Sequence, residues 1–278
     1  MTSGRHVVSA STCALDAAGA VLSEPDLDRK AAMAGELLKR WQTDELTVGA
    51  RSGPLVPVDR PGRPARPPLV HPRELPQRKL TTEAGRIAAI HAVTHIEANA
   101  INLALDAAHR FDGMPDDYYG DWLSVAADEA RHFLALRQRL RDHGADYGDL
   151  PAHDGLWAAA VRSADDVLVR MALVPRVLEA RGLDVTPAMI DRFAASGDEQ
   201  TAAVLRVILT DEVGHVAVGD RWFRHACALR SLEPEATFTT LLTEAGVRVV
   251  PPLNVDARRA AGFSDAELTA LAVEPVSR

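Results

Sequence analysis

The chain has 278 residues, a formal net charge of −8, and 47% hydrophobic but only 5% aromatic residues. That is enough apolar material for one large core or two small ones, and the acidic balance argues against a general nucleic-acid binder. Two cysteines, Cys13 and Cys227, exclude a disulfide framework and a cysteine-based metal site, and no run reaches the ~18–20 apolar residues of a membrane span.

Three regions differ in texture: an N-terminal arm over 1–82, a helical bundle over 83–230 and a tail over 231–278. The arm begins with apolar stretches around Ala10 to Leu22. Ser, Thr and Asp interrupt them, without the basic-then-apolar layout of an export signal, so a cytoplasmic protein is expected. Asp28 to Trp41 reads as one amphipathic helix, with Ala32, Leu37, Leu38 and Trp41 as contacts. From Gly53 to Pro76 the density of proline forbids helix and suits an extended strap, anchored by Leu55, Val58, Leu69 and Val70.

The bundle predicts long helices at 83–110, 115–143, 163–182 and 198–230, with a short extra helix at 187–196. Asp112-Gly113-Met114-Pro115 separates the first two, and His143-Gly144 closes the second as a glycine cap does. Pro175 is expected to kink the third helix. Thr186-Pro187 reads as the start of the short one. In the tail, Pro251-Pro252 stops helix and Ser264-Asp265-Ala266-Glu267 starts a last short one. The expected class is all-α.

Each long helix places a glutamate on its apolar stripe. Glu97 lies with Ile90, Val93, Ile101 and Ala104; Glu129 and His132 with Trp122, Val125, Phe133 and Leu136. Glu179 lies with Leu168, Met171, Ala172 and Leu178; Glu212 and His215 with Leu205, Ile208 and Trp222. A buried carboxylate must be paired, protonated or bound to a cation. Arg131 and Arg176 are the nearest cations, too few for four acids.

Glu129-Ala130-Arg131-His132 and Glu212-Val213-Gly214-His215 are both Glu-x-x-His, a spacing that sends both side chains to one centre. A lone glutamate precedes each at nearly the same distance, 129 − 97 = 32 and 212 − 179 = 33. Four glutamates and two histidines, ordered this way, form the ligand set of di-iron and di-manganese carboxylate bundles. Among the other candidates, His91 and His95 stand six and two residues before Glu97 and are not read as ligands. Tyr118, Tyr119 and Trp122 read as packing, and Trp157 as a loop anchor.

On His95-Ile96-Glu97, Asp128-Glu129-Ala130-Arg131-His132, the run from Met171 to Gly182 and Asp211-Glu212-Val213-Gly214-His215, the chain resembles the ferritin-like superfamily. More closely it resembles a bacterial ferritin-like family of uncharacterised function related to the tRNA hydroxylase MiaE. The resemblance implies a four-helix bundle around two metal ions, Fe/Fe or Mn/Fe. The first Asp-Glu-x-Arg-His string is also similar to that of bacterial multicomponent monooxygenases. That likeness implies that Asp128 and Asp211, with Arg131, orient a ligand imidazole across the bundle. Gly214 replaces the arginine in the second copy, so the network is half matched.

Carboxylate and imidazole donors without thiolate favour iron or manganese. The leading expectation is an O2-activating oxidoreductase or hydroxylase, with O2 or peroxide, an unidentified small-molecule substrate and an electron-donor protein as partners. The alternatives are iron handling, as ferroxidase or store, and peroxide scavenging. The long arm and tail favour a closed substrate pocket.

Overall fold

The computed structural model describes residues 12–75 and 79–272. It is an all-α bundle. None of the described helices is long and apolar enough to cross a membrane. Two compact units are formed, Met1–Pro64 with Ile101–Ala130, and Ala65–Ala100 with Arg131–Arg278.

The first unit starts with α1 (Ala14–Leu22) and α2 (Leu27–Gln42). Helix α1 is an element that the N-terminal sequence does not announce. Its Ala, Gly and Leu side chains are nearly all buried, so close packing of small residues, more than any long apolar stripe, forms it. Asp26 caps α2 by accepting from the Arg29 amide. The same unit takes the C-terminal part of α3 (Glu83–Arg110) and the N-terminal part of α4 (Asp116–Asp142). Lys30 is fully buried, and its ammonium donates to the Leu22 carbonyl at 3.0 Å, the Gly62 carbonyl at 2.6 Å and Asn102 Oδ1 at 2.5 Å. Burial pushes its pKa down to about 7, and the three acceptors satisfy all three of its donors. Through Gly62 this lysine ties the proline-rich strap to α2. A side chain at position 62 would place its Cβ 2.2 Å from the Ser23 carbonyl oxygen, which explains the glycine.

The second unit holds the start of α3, the end of α4, then α5 (Gly155–Arg162), α6 (Val167–Leu173), a π-helical turn (Val174–Glu179) and α7 (Ala180–Ala195). It continues through α8 (Glu199–Leu229), α9 (Pro234–Glu244), α10 (Val255–Ala260) and α11 (Asp265–Ala272). Ile90, Leu136, Leu140, Ile190, Phe193, Ala202, Leu205 and Ile208 pack into one core of this unit, drawn from α3, α4, α7 and α8. The strap runs on here as extended chain, pairing Leu69 with Ala152, with a single 3-10 turn at Pro72–Glu74. The first two and the last of the long helices keep their expected limits to within one residue.

The third helix departs from expectation. It begins at Val167, where Asp166 caps it through the Leu168 amide, and runs through the π turn to Ala195 without the break expected at Thr186-Pro187. Pro187 therefore lies inside α7. It cannot donate to the Leu183 carbonyl one turn back. The Asn254 side-chain amide does so instead, at 3.2 Å, which makes an internal proline tolerable. Trp157 is buried within α5 and is not a loop anchor. Helices α9 and α10 are further elements that the tail's sequence did not announce.

Candidate metal centre

The stripes of α3, α4 and α8 bury Glu97, Glu129, His132 and His215 at 3%, 0%, 2% and 3% exposure. One ligand atom each from Glu97, Glu129, His132 and Glu212 lies within 4.8 Å of every other. Both oxygens of Glu129, Oε2 of Glu97 and Glu212, and Nδ1 of His132 and His215 are closed to solvent. Helix α4 passes unbroken through the Glu129-to-His132 turn, so these two side chains leave one face a turn apart.

Imidazole orientation is set from outside the cluster. His132 Nε2 lies 3.0 Å from Asp211 Oδ2 on α8, so the ring's N–H donates outward. Its Nδ1 lone pair then faces inward, 3.3 Å from Glu97 Oε2. Arg131 Nη2 stands 3.5 Å from the same Asp211 oxygen and is mostly exposed, so the aspartate joins a surface guanidinium to a buried imidazole. His215 Nδ1 likewise faces Glu212 Oε2 at 3.8 Å, and its ring centroid lies 5.7 Å from that of His132. Asp128 is half-buried, one residue before Glu129.

Glu179 and His215 stand outside the four-residue group. Glu179 is the last residue of the π turn, half-buried as a residue but with Oε2 closed to solvent. The reason for the turn is local. Pro175 has no N–H to continue the α-helical ladder, and the Ala180 amide reaches back five residues to the Pro175 carbonyl. The widened turn buries Arg176 and Val177 and leaves Leu178 half-exposed, a phase that the regular stripe read from sequence does not have. Arg176 pairs with Asp220 and Glu267, away from the glutamates it was a candidate to neutralise.

His91 and His95 serve the loop after α4. His91 Nε2 accepts from the Gly148 amide at 3.0 Å, and burial, with His95 adding to it, pushes its pKa down to about 4. His95 Nε2 donates to the His153 carbonyl at 2.9 Å and Nδ1 accepts from the Tyr147 hydroxyl at 2.8 Å. Tyr118 and Tyr119 are buried, their hydroxyls donating to the Ala107 and Phe111 carbonyls. The two cysteines are both buried and neither enters the cluster.

Three carboxylates this close repel unless a cation or shared protons sit among them. The donor set, oxygen and imidazole nitrogen with no sulfur, fits a divalent metal of the iron and manganese type. A buried Glu and His group able to hold a metal ion is thus present.

Residues 23–269 match the family described as "Protein of unknown function (DUF455)". The chain belongs to this family. An uncharacterised protein of Haemophilus influenzae is 44% identical to it over 213 residues, 74% of each chain. No solved structure matches. The DUF455 match covers all the residues considered above as metal ligands, and the family description names no activity.

Proposed function

We propose that this DUF455 protein holds two metal ions, Fe/Fe or Mn/Fe, and uses them as an O2-activating oxidoreductase of hydroxylase type. The buried convergence of Glu97, Glu129, His132 and Glu212 carries this reading. Glu179 and His215 complete the set, as the repeated order of Glu followed by Glu-x-x-His supports. The same order supports kinship with the ferritin-like superfamily and with relatives of MiaE. When bound, the metal pair supplies the redox equivalents and activates dioxygen.

The chain's own contributions follow from its geometry. Asp211 fixes the His132 ring so that Nδ1 is presented inward, and Asp128 is assigned the corresponding task for His215. Ile90, Leu136 and Ile208, from the same three helices as the acids, pack into an apolar core. An electron-donor protein is part of the proposal. The substrate is a small organic molecule.

Anaerobic titration with Fe(II), followed by metal analysis, tests the reading. About two ions per chain are expected, with a higher melting temperature for loaded than for metal-free protein, because ions that bind only the folded state stabilise it. Dioxygen uptake beyond a single turnover should then require an added reductant, because two Fe(II) ions supply only two electrons. Protein that takes up neither Fe(II) nor Mn(II) would overturn the proposal. Uptake of many ions per chain as a mineral would favour storage.

A further inference from the structure

We propose that Arg176 is a positioning residue for the metal centre, holding the π-helical turn in the register that brings Glu179 to the metals. This rests on the dinuclear reading above.

A π turn is a less favourable way to pass six residues than an α-helix, and it persists where surrounding structure fixes it. The supports here are unusually specific. Arg176, inside the turn, is 0% exposed. Its Nε lies 3.0 Å from Asp220 Oδ1 on α8, and its Nη2 donates to Glu267 Oε1 on α11 at 2.5 Å. The guanidinium also stands over three rings, Phe238 at 4.0 Å, Phe223 at 4.5 Å and Phe263 at 4.6 Å from their centroids. Beside it Pro175 presses on α8 where only Gly219 fits, since a Cβ there would lie 2.2 Å from Pro175 Cβ.

The far end of the turn is gripped as well. Arg258, also 0% exposed, forms a two-pronged pair with Asp184 at 2.9 and 2.7 Å and reaches the Ala180 carbonyl at 3.4 Å. Arg181 donates to the carbonyls of Val250 and Pro252. The stretch from Val250 to Glu267 therefore holds both ends of the segment that carries Glu179.

Stability alone does not account for Arg176. A buried ionic group is often no better than an apolar side chain of the same volume, because its desolvation offsets its pairing. What the ionic clamp adds is direction: the hydrogen bond to Glu267 fixes the turn against α11 while the Asp220 ion pair draws it to α8, whereas an apolar side chain would let it slide. The turn ends on Glu179, three residues from the clamped side chain.

Arg176→Met separates the two roles, since it keeps volume and removes the directional pairs. The probe is Co(II), read by its visible spectrum and by stoichiometry on the full chain. Arg176→Met and Glu179→Gln should give the same altered spectrum and at least about a tenfold loss in affinity at one of the two sites, with Arg176→Lys partly restoring it. Glu267→Gln, which removes the negative charge on α11 that Arg176 shares with Arg224, should shift the spectrum in the same direction and covers the case in which Arg176→Met does not fold. Wild-type Co(II) spectra and full occupancy in folded Arg176→Met or Glu267→Gln would overturn the proposal. Wild-type protein that binds no metal would instead overturn the dinuclear reading itself.

Discussion

The two Glu, Glu-x-x-His halves are nearly equal in sequence and unequal in structure. In the first, Glu97, Glu129 and His132 project from the unbroken helices α3 and α4 and are at most 3% exposed. In the second, Glu179 ends a π turn and the Glu212 side chain is 13% exposed. Matching spacings therefore give matching donors, while the backbone beneath them decides how firmly each is held. The first half stands on regular helix, and the second on an interrupted helix with a shallower glutamate.

Substitutions in α8 probe this contrast. Gly219→Ala has the largest expected effect, because its Cβ would sit 2.2 Å from Pro175 Cβ and 2.3 Å from Cγ. Destabilisation of about 3 kcal/mol is expected in chemical denaturation, the upper range for overpacking. A neutral result would mean that the π turn yields easily. Asp211→Asn comes next. It reaches from the second half to the His132 ring of the first, and its loss should weaken Co(II) binding tenfold to a hundredfold, about 1.4–2.7 kcal/mol, with the fold intact. Unchanged affinity would mean that α4 packing alone orients the imidazole. Gly214→Ala is the smallest. With no atom within 4 Å of a Cβ, the substitution should raise stability by about 0.5–1 kcal/mol, as alanine does in a helix. A loss of stability would show that this face of the second half is not open.

Much of this was legible in sequence because two signals agree. Stripes at three- and four-residue steps locate α3, α4 and α8, and glycine or proline punctuation locates their ends, as at Gly144 with its φ of +75°. The convergence of Glu97, Glu129, His132 and Glu212 follows from acids placed on those stripes. The π turn was not legible, because a periodic pattern assumes a constant turn. Pro175 announced a disturbance and not its form. Pro187 misled in the opposite direction, since the group that rescues its helix, Asn254, lies 67 residues on, from 254 − 187. Arg176 is near the buried acids in sequence, but its partners, Asp220 and Glu267, come from elements distant in sequence. Helix α1 lacked a long apolar stripe because alanine and glycine pack it.

The most direct measurement is a crystal structure of the Fe(II)-loaded protein with anomalous scattering at the iron edge. Two adjacent peaks are expected among Glu97, Glu129, His132, Glu179, Glu212 and His215. An absence of peaks among these residues, with iron found only at surface carboxylates, would contradict the metal centre.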